Sequence, residues 1–228
     1  MTTPEANINV GRQGAASRAR GRRKQLIDAA VAVMERTGYH QMSMQALSEE
    51  AGVSVGLAYK YFSGKEDVLE AAITGILEDF SDQIQPAIDE AGECPVDRLA
   101  AGFRRYLDII DANIPAVLLS YRESGTLSPE GRNRLKELEL ATAAPLRSVI
   151  EDGIDAGVFT PVDVDLVVVD LVLITHGWAL KHWFWSRTHT LDEYHHAQLG
   201  FFLHSLIAPD QQARYQRHFT PDPPGKHP

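Results

Sequence analysis

From Arg22 onward the side chains suited to one helix face recur at helical spacing. Leu26, Ala29, Ala30, Val33, Met34 and Thr37 follow i, i+3, i+4, i+7, and Gly38 closes the run. Ser43 predicts the N-cap of a short helix with Ala46, Leu47 and Ala51 on one side and Gly52 at its end. Ser54 predicts the cap of a second short helix reaching about Tyr61. Ser63-Gly64-Lys65-Glu66 reads as a capping box opening a long helix through Val68, Leu69, Ile73, Leu77, Phe80 and Ile84. Pro95 suits the first turn of a helix to about Ala112, and Pro115 starts another that ends near Ser124-Gly125. Ser128-Pro129 opens a helix to about Ala156, which Pro145 is expected to kink. Thr160-Pro161, with Asp163 at N3, and Thr190 with Glu193 cap the last two long helices, the second reaching about Ile207.

One stretch conflicts with this pattern. Val162, Val164, Val167, Val168, Val169 and Val172 favour a strand by propensity. Leu166, Asp170, Leu173, Gly177, Leu180 and Phe184 step by four and three, however, and no partner strand is visible elsewhere. A helix is expected there. The ends carry no such periodicity: residues 1–20, rich in Gly, Ala and Arg, read as a flexible basic arm, and residues 209–228 as a disordered tail.

Composition narrows the function. The chain has 228 residues, 44% of them hydrophobic and 23% charged, which suits a globular protein with a sizeable core. A single cysteine, Cys94, leaves no disulfide framework and no multi-cysteine zinc site. The longest apolar run, Val164 to Trp185, is broken by Asp165, Asp170, His176 and Lys181, and the N-terminus lacks an apolar leader. A cytoplasmic protein with no membrane partner is expected. The net charge of −9 argues against nucleic acid until it is divided. Residues 1–63 carry 8 Lys and Arg against 5 Asp and Glu, a net +3; residues 64–228 carry 14 against 26, a net −12. A basic head on an acidic body suits a polyanion held at one end.

Two short helices joined through Gly52-Val53-Ser54 have the spacing of a helix-turn-helix, with small Ala46 and Ala51 at the crossing and a glycine at the turn. Leu47, Val53 and Phe62 are expected to anchor the pair onto Leu26, Ala30 and Val33. Residues 22–73, and above all the run Ala51-Gly52-Val53-Ser54-Val55-Gly56-Leu57-Ala58-Tyr59-Lys60-Tyr61-Phe62-Ser63-Gly64-Lys65-Glu66, resemble the DNA-binding domain of TetR/AcrR-family regulators. The motif covers about a quarter of the chain. The order of parts is similar too: basic arm, three short helices, a long linking helix and a helical body.

The resemblance implies roles. Tyr59, Tyr61 and Lys65 match positions that contact phosphates. Gln45 and Lys60 are candidates for base edges, toward adenine and guanine respectively. Ser43, Ser54, Val55, Gly56 and Leu57 complete the expected DNA-facing set; Val55 stands where many members carry a polar residue, and Leu57 replaces a common Thr. Arg22 and Arg23, with Arg18, Arg20 and Lys24, reach phosphates or a minor groove, or form a solvated charge run. In the family the last two helices pair with their copies, which implies a homodimer on a double-stranded, pseudo-palindromic operator.

A ligand pocket in the body is also implied. Its candidate walls and polar anchors are Phe103, Tyr106, Ile110, Tyr121, Arg122, Thr175, His176 and Trp178, with plain core packing as the alternative for each aromatic. Tyr121-Arg122-Glu123-Ser124 is similar to a segment of fatty-acyl-CoA-responsive relatives, so a small, mostly apolar effector is expected. Arg122 beside Glu123 reads better as a surface ion pair than as an anion clamp. Six histidines fall between His176 and His204, but their spacing does not suit a metal site. No cofactor, metal or catalytic machinery is expected.

Together these readings predict an all-α fold: a three-helix helix-turn-helix domain followed by a larger helical ligand-binding and dimerisation domain (about nine helices). The expected boundaries are 1–20 arm, 21–66 DNA-binding domain, 67–208 body and 209–228 tail. The expected function is a ligand-released transcriptional repressor that is not an enzyme. The competing reading is a helical enzyme or metal-binding protein using the His- and Trp-rich C-terminal half.

Overall fold

The computed structural model describes residues 4–218. Ten α-helices are present among them: α1 (Pro4–Thr37), α2 (Met44–Glu50), α3 (Val55–Tyr61), α4 (Lys65–Glu90), α5 (Pro95–Ala112), α6 (Ile114–Glu123), α7 (Pro129–Asp155), α8 (Val164–Leu180), α9 (His182–Trp185) and α10 (Leu191–Leu206). Short 3-10 turns lie at Tyr39–Gln41, Ser124–Thr126 and Gln212–His218. The chain divides into two compact units, one of residues 1–75 and 119–132, the other of residues 76–118 and 133–228.

The first unit is built on the stripe that the sequence marks in α1. Leu26, Ala30, Val33 and Met34 are buried there, together with Leu47 of α2, Ala58 of α3, Phe62, and Val68 and Leu69 of α4. Fully burying a side chain of the Leu or Phe class stabilises by about 1.5–3 kcal/mol, and this shared core holds α2 and α3, two seven-residue helices that would not persist alone. The unit also takes in residues 119–132, where the periodicity predicts a boundary at residue 66. Sequence spacing cannot reveal a segment returning from fifty residues further on.

The second unit centres on α5, whose buried face (Leu99, Phe103, Tyr106, Leu107, Ile110) packs against α8 and α10. At Gly102 a Cβ would stand 2.8 Å from a Leu146 methyl and 2.9 Å from Ile88, so the missing side chain is what lets α5 approach. The link from α7 to α8 is pinned to the end of α10: Thr160 N–H donates to the Leu206 carbonyl (2.8 Å) and Ala208 N–H to that of Val158 (2.9 Å). Phe159 lies over Gly153 and forms an isolated antiparallel bridge with Ile207.

Several predicted boundaries move. α1 begins at Pro4 rather than Arg22, so residues 4–20 are helical where a flexible arm is predicted. Pro suits the first helical position, and Ala, Arg and Gln sustain a helix without any apolar stripe. The cap of α4 uses Asp67 instead of Glu66, its carboxylate accepting from Ser63 N–H at 2.9 Å. α8 starts three residues later than predicted, at Val164, with Asp163 itself as N-cap accepting from Leu166 N–H at 3.1 Å. The valine-rich stretch is helical, and Lys181 (φ −119°) separates α8 from α9. The predicted box of Thr190 and Glu193 is present. The expected tail is ordered through the Gln212–His218 turn, because Tyr215 is buried and Arg217 pairs with Asp97 at 2.6 Å. Residues 219–228 of that tail lie outside the described residues.

Candidate nucleic-acid interface

The turn between α2 and α3 is fixed by local chemistry. Ser43 Oγ accepts from Ala46 N–H (3.1 Å) to start α2, and Ser54 Oγ accepts from Leu57 N–H (3.3 Å) to start α3. Between them Gly52 adopts φ +63°, which a side chain would strain. Gln25 of α1 donates from Nε2 to the Ala51 carbonyl at 2.8 Å and so ties this turn to the first helix. The sequence reading missed Gln25, since an exposed glutamine outside the apolar stripe carries no periodic signal.

With Ala58 and Phe62 facing the core, the opposite side of α3 points outward. Ser54, Val55, Gly56, Tyr59 and Lys60 are exposed there, Tyr59 to 54% and Val55 to 38%. Val55 and Tyr59 stand one turn apart, as do Gly56 and Lys60, and a Cβ added at Gly56 would meet open space. Leu57 and Tyr61 are half-buried, so each divides its surface between packing and solvent. Ser43 is exposed, and its oxygen is already engaged as a cap. Gln45 is exposed but donates to Glu49 Oε1 at 3.1 Å, so its amide must leave that carboxylate before it can read a base.

The cations around α3 are individually oriented. Arg22 donates to Gln25 Oε1 at 2.7 Å, and the Arg23 guanidinium lies 5.6 Å from the Phe62 ring centre. Lys65, the first residue of α4, sits over the Tyr39 ring at 4.8 Å and reaches the His40 carbonyl at 3.4 Å. Burial, with Glu66 and Glu123 nearby, raises the Tyr39 phenol above its ordinary value and keeps it neutral. Beside Tyr39, a polar cleft of about 430 Å³ is lined by Glu66, Asp67 and Glu70, carboxylates that make it a poor seat for an apolar molecule.

The eight candidate ligand residues are divided between the two units. Phe103, Tyr106, Ile110, Thr175 and Trp178 are buried in the second unit, with His176 nearly so. Their polar groups are largely satisfied: Tyr106 Oη and Thr142 Oγ1 stand 3.1 Å apart, Thr175 donates to the Val172 carbonyl (2.7 Å), and the Trp178 indole donates to Asp111 (2.7 Å). Tyr121 and Arg122 belong to the first unit, where Tyr121 is 48% exposed. Arg122 pairs with Glu123 at 2.9 Å, as its neighbour in sequence suggests, and donates to the Met34 carbonyl at 3.4 Å. Residues 114–118 of α6 belong to the second unit and residues 119–123, with Tyr121 and Arg122, to the first.

His176 and His195 behave as interior groups. Burial holds His176 and His195 near a pKa of about 4, helped at His195 by the Arg104 charge. His195 stacks on Phe103 with ring centres 5.5 Å apart. One ring nitrogen of each of three histidines (Nδ1 of His182, Nε2 of His195 and of His196) is buried without a hydrogen-bond partner among the described residues. No three of the His, Cys, Asp and Glu side chains stand together as metal ligands would, again among the described residues. No helix there is long and apolar enough to cross a membrane.

Comparison with known proteins places this arrangement. Residues 26–72 match the family model of bacterial regulatory proteins of the tetR family, and residues 92–203 that of a tetracyclin repressor-like C-terminal domain. The chain is 32% identical over 173 residues to the HTH-type transcriptional regulator HbdR of Aromatoleum sp. (strain CIB), covering 76% of this chain and 75% of that one. It is 26% identical over 133 residues to the fatty acid metabolism regulator protein of Bacillus subtilis (strain 168), covering 58% and 68%. The crystal structure of AibR in complex with isovaleryl coenzyme A and operator DNA superposes with a TM-score of 0.66 at 20% identity, covering 79% of this chain and 97% of that one. A helix-turn-helix with an outward α3 heads a helical C-terminal domain, and the chain belongs to the TetR family of transcriptional regulators.

Proposed function

We propose that this chain is a repressor, that two copies hold a pseudo-palindromic operator, and that a small, mostly apolar effector releases it. The observation carrying this reading is the outward face of α3, where Val55, Tyr59 and Lys60 stand exposed on a helix whose other side is sealed by Ala58 and Phe62. A helix of this kind fits a major groove about 12 Å wide. Lys60 reads guanine, Val55 meets a thymine methyl, and Gln45 reads adenine after leaving Glu49. Tyr59, Tyr61, Lys65, Arg22 and Arg23 hold phosphates and set the register. The acidic body stays off the duplex.

Two copies are needed because one seven-residue helix spans too few base pairs. The last long helices supply a face for pairing: Leu166, Val169 and Leu173 of α8 and Phe201 of α10 are all exposed. Ala179 of α8 and Phe202 and Leu206 of α10 are buried in the monomer's own core and lie outside that face. The effector enters the second unit near Phe103, Tyr106, Ile110, Thr175, His176 and Trp178. An acyl-CoA is the favoured class, on the strength of the fatty acid regulator among the relatives and of AibR with isovaleryl coenzyme A. Binding shifts the population of head spacings, a coupling worth typically ~1–3 kcal/mol.

The test uses a duplex recovered from a random-sequence pool by repeated capture on this chain. Lys65→Ala or Tyr61→Ala is expected to weaken retention sharply, leaving it measurable at low salt, while the dimer persists in sedimentation, and retention is expected to fall steeply with salt. A panel of short- and long-chain acyl-CoAs, sterols and aromatic drugs should include a class that releases the duplex. Unchanged retention by both variants would sink the interface assignment.

A further inference from the structure

The structure assigns Tyr39 a role that the helix-turn-helix motif does not cover: its ring face positions the Lys65 ammonium for the phosphate backbone. The inference rests on the reading of Lys65 as a phosphate contact and adds what holds that lysine in place. A lysine is a point charge on a four-carbon stem that loses about 2 kcal/mol of rotamer freedom when fixed. Here the freedom is already restricted. Nζ lies 4.8 Å from the centre of the Tyr39 ring and donates to the His40 carbonyl at 3.4 Å, so two features of one short turn hold it.

Tyr39 is itself immobile. It is 5% exposed, opens the Tyr39–Gln41 turn, and follows Gly38, whose φ of +81° sets the direction in which the ring enters the core. The order of support runs from Gly38 through Tyr39 to Lys65. Of the acidic groups of this region, the Asp67 carboxylate takes Ser63 N–H and Oγ and Glu123 pairs with Arg122, while the phenol of Tyr39 stays neutral. A cation held at the first turn of α4 meets a phosphate with its ordering cost already met.

The experiment measures retention of the captured duplex against salt for the full-length chain and for Tyr39→Leu, Tyr39→Phe, Lys65→Ala and the double variant Tyr39→Leu/Lys65→Ala. Tyr39→Leu is expected to weaken binding about 2- to 5-fold per head, the strength of an exposed cation–π contact, while Tyr39→Phe retains wild-type binding. In the Lys65→Ala background, Tyr39→Leu is expected to add nothing, since both changes remove one interaction. Equal losses in both backgrounds would make Tyr39 a packing residue and overturn the inference, as would wild-type binding by Tyr39→Leu when Lys65→Ala binds poorly. Full binding by Lys65→Ala would remove the phosphate contact itself, and the positioning role with it. Should Tyr39→Leu fail to fold, proton NMR of the wild type decides: the Lys65 ε-methylene protons must be shifted upfield by the ring current. Ordinary lysine shifts would overturn the inference.

Discussion

At the residue scale, close packing sets the most sensitive positions. A Cβ at Gly153 would stand 2.2 Å and 2.4 Å from carbons of the Phe159 ring, and that ring is held by backbone bonds on both sides. Gly153→Ala is therefore expected to destabilise the second unit by about 1–3 kcal/mol, the usual cost of overpacking, as a lowered midpoint in urea unfolding. The buried histidines give a second effect. His176 and His195 have folded pKa values of about 4 against the ordinary 6.5, so the folded state keeps them neutral while the unfolded chain protonates. Their stabilisation is fully present above about pH 6.5 and is lost as pH falls from there toward 4. The expected loss is roughly 1–2 kcal/mol per histidine by about pH 5. Equal urea midpoints at about pH 7.5 and pH 5 would contradict this, and His195→Gln should flatten the dependence.

At the element scale, α2 and α3 have seven residues each and depend on their caps and their core contacts. Removing the Ser54 hydroxyl by Ser54→Ala is expected to cost about 1 kcal/mol and to weaken operator binding, since the Leu57 N–H keeps only the Ser54 carbonyl (2.9 Å) and the first turn of α3 loses its cap. Calorimetric melting and duplex retention should both register the change; Ser54→Asp, which restores an acceptor, should recover most of the stability. The long helices behave differently. α4 continues past Pro86 and α7 past Pro145, because the packing of twenty-six and twenty-seven residues outweighs one missing hydrogen bond.

At the scale of the whole molecule, the relevant quantities are the charge asymmetry and the uncovered apolar face. The basic first 63 residues attract a polyanion and the strongly acidic remainder repels it. Leu166 (59% exposed), Leu173 (50%) and Phe201 (69%) are too exposed for the interior of a monomer. Leu173→Glu is expected to convert a dimer into monomers in sedimentation and to reduce operator retention by orders of magnitude, because both half-sites must be held together. A dimer of unaltered stability would show that another surface carries the pairing.

The amino-acid sequence by itself determined most of the helices, the caps at Ser43, Ser54 and Thr190, the turn at Gly52 and the outward character of α3. All of these follow from local rules: periodicity, side-chain bonds three residues apart, and the backbone freedom of glycine. At two predicted caps a neighbouring residue took the role, Asp163 in place of Thr160 and Asp67 in place of Glu66, each nearer the first apolar turn. Contacts between residues far apart in sequence were decided only in three dimensions. These include the return of residues 119–132 to the first unit, Arg122 turning to Met34, Gln25 bracing the turn, and Tyr39 lying under Lys65. Such contacts leave no period in the sequence, because they depend on how whole helices are brought together.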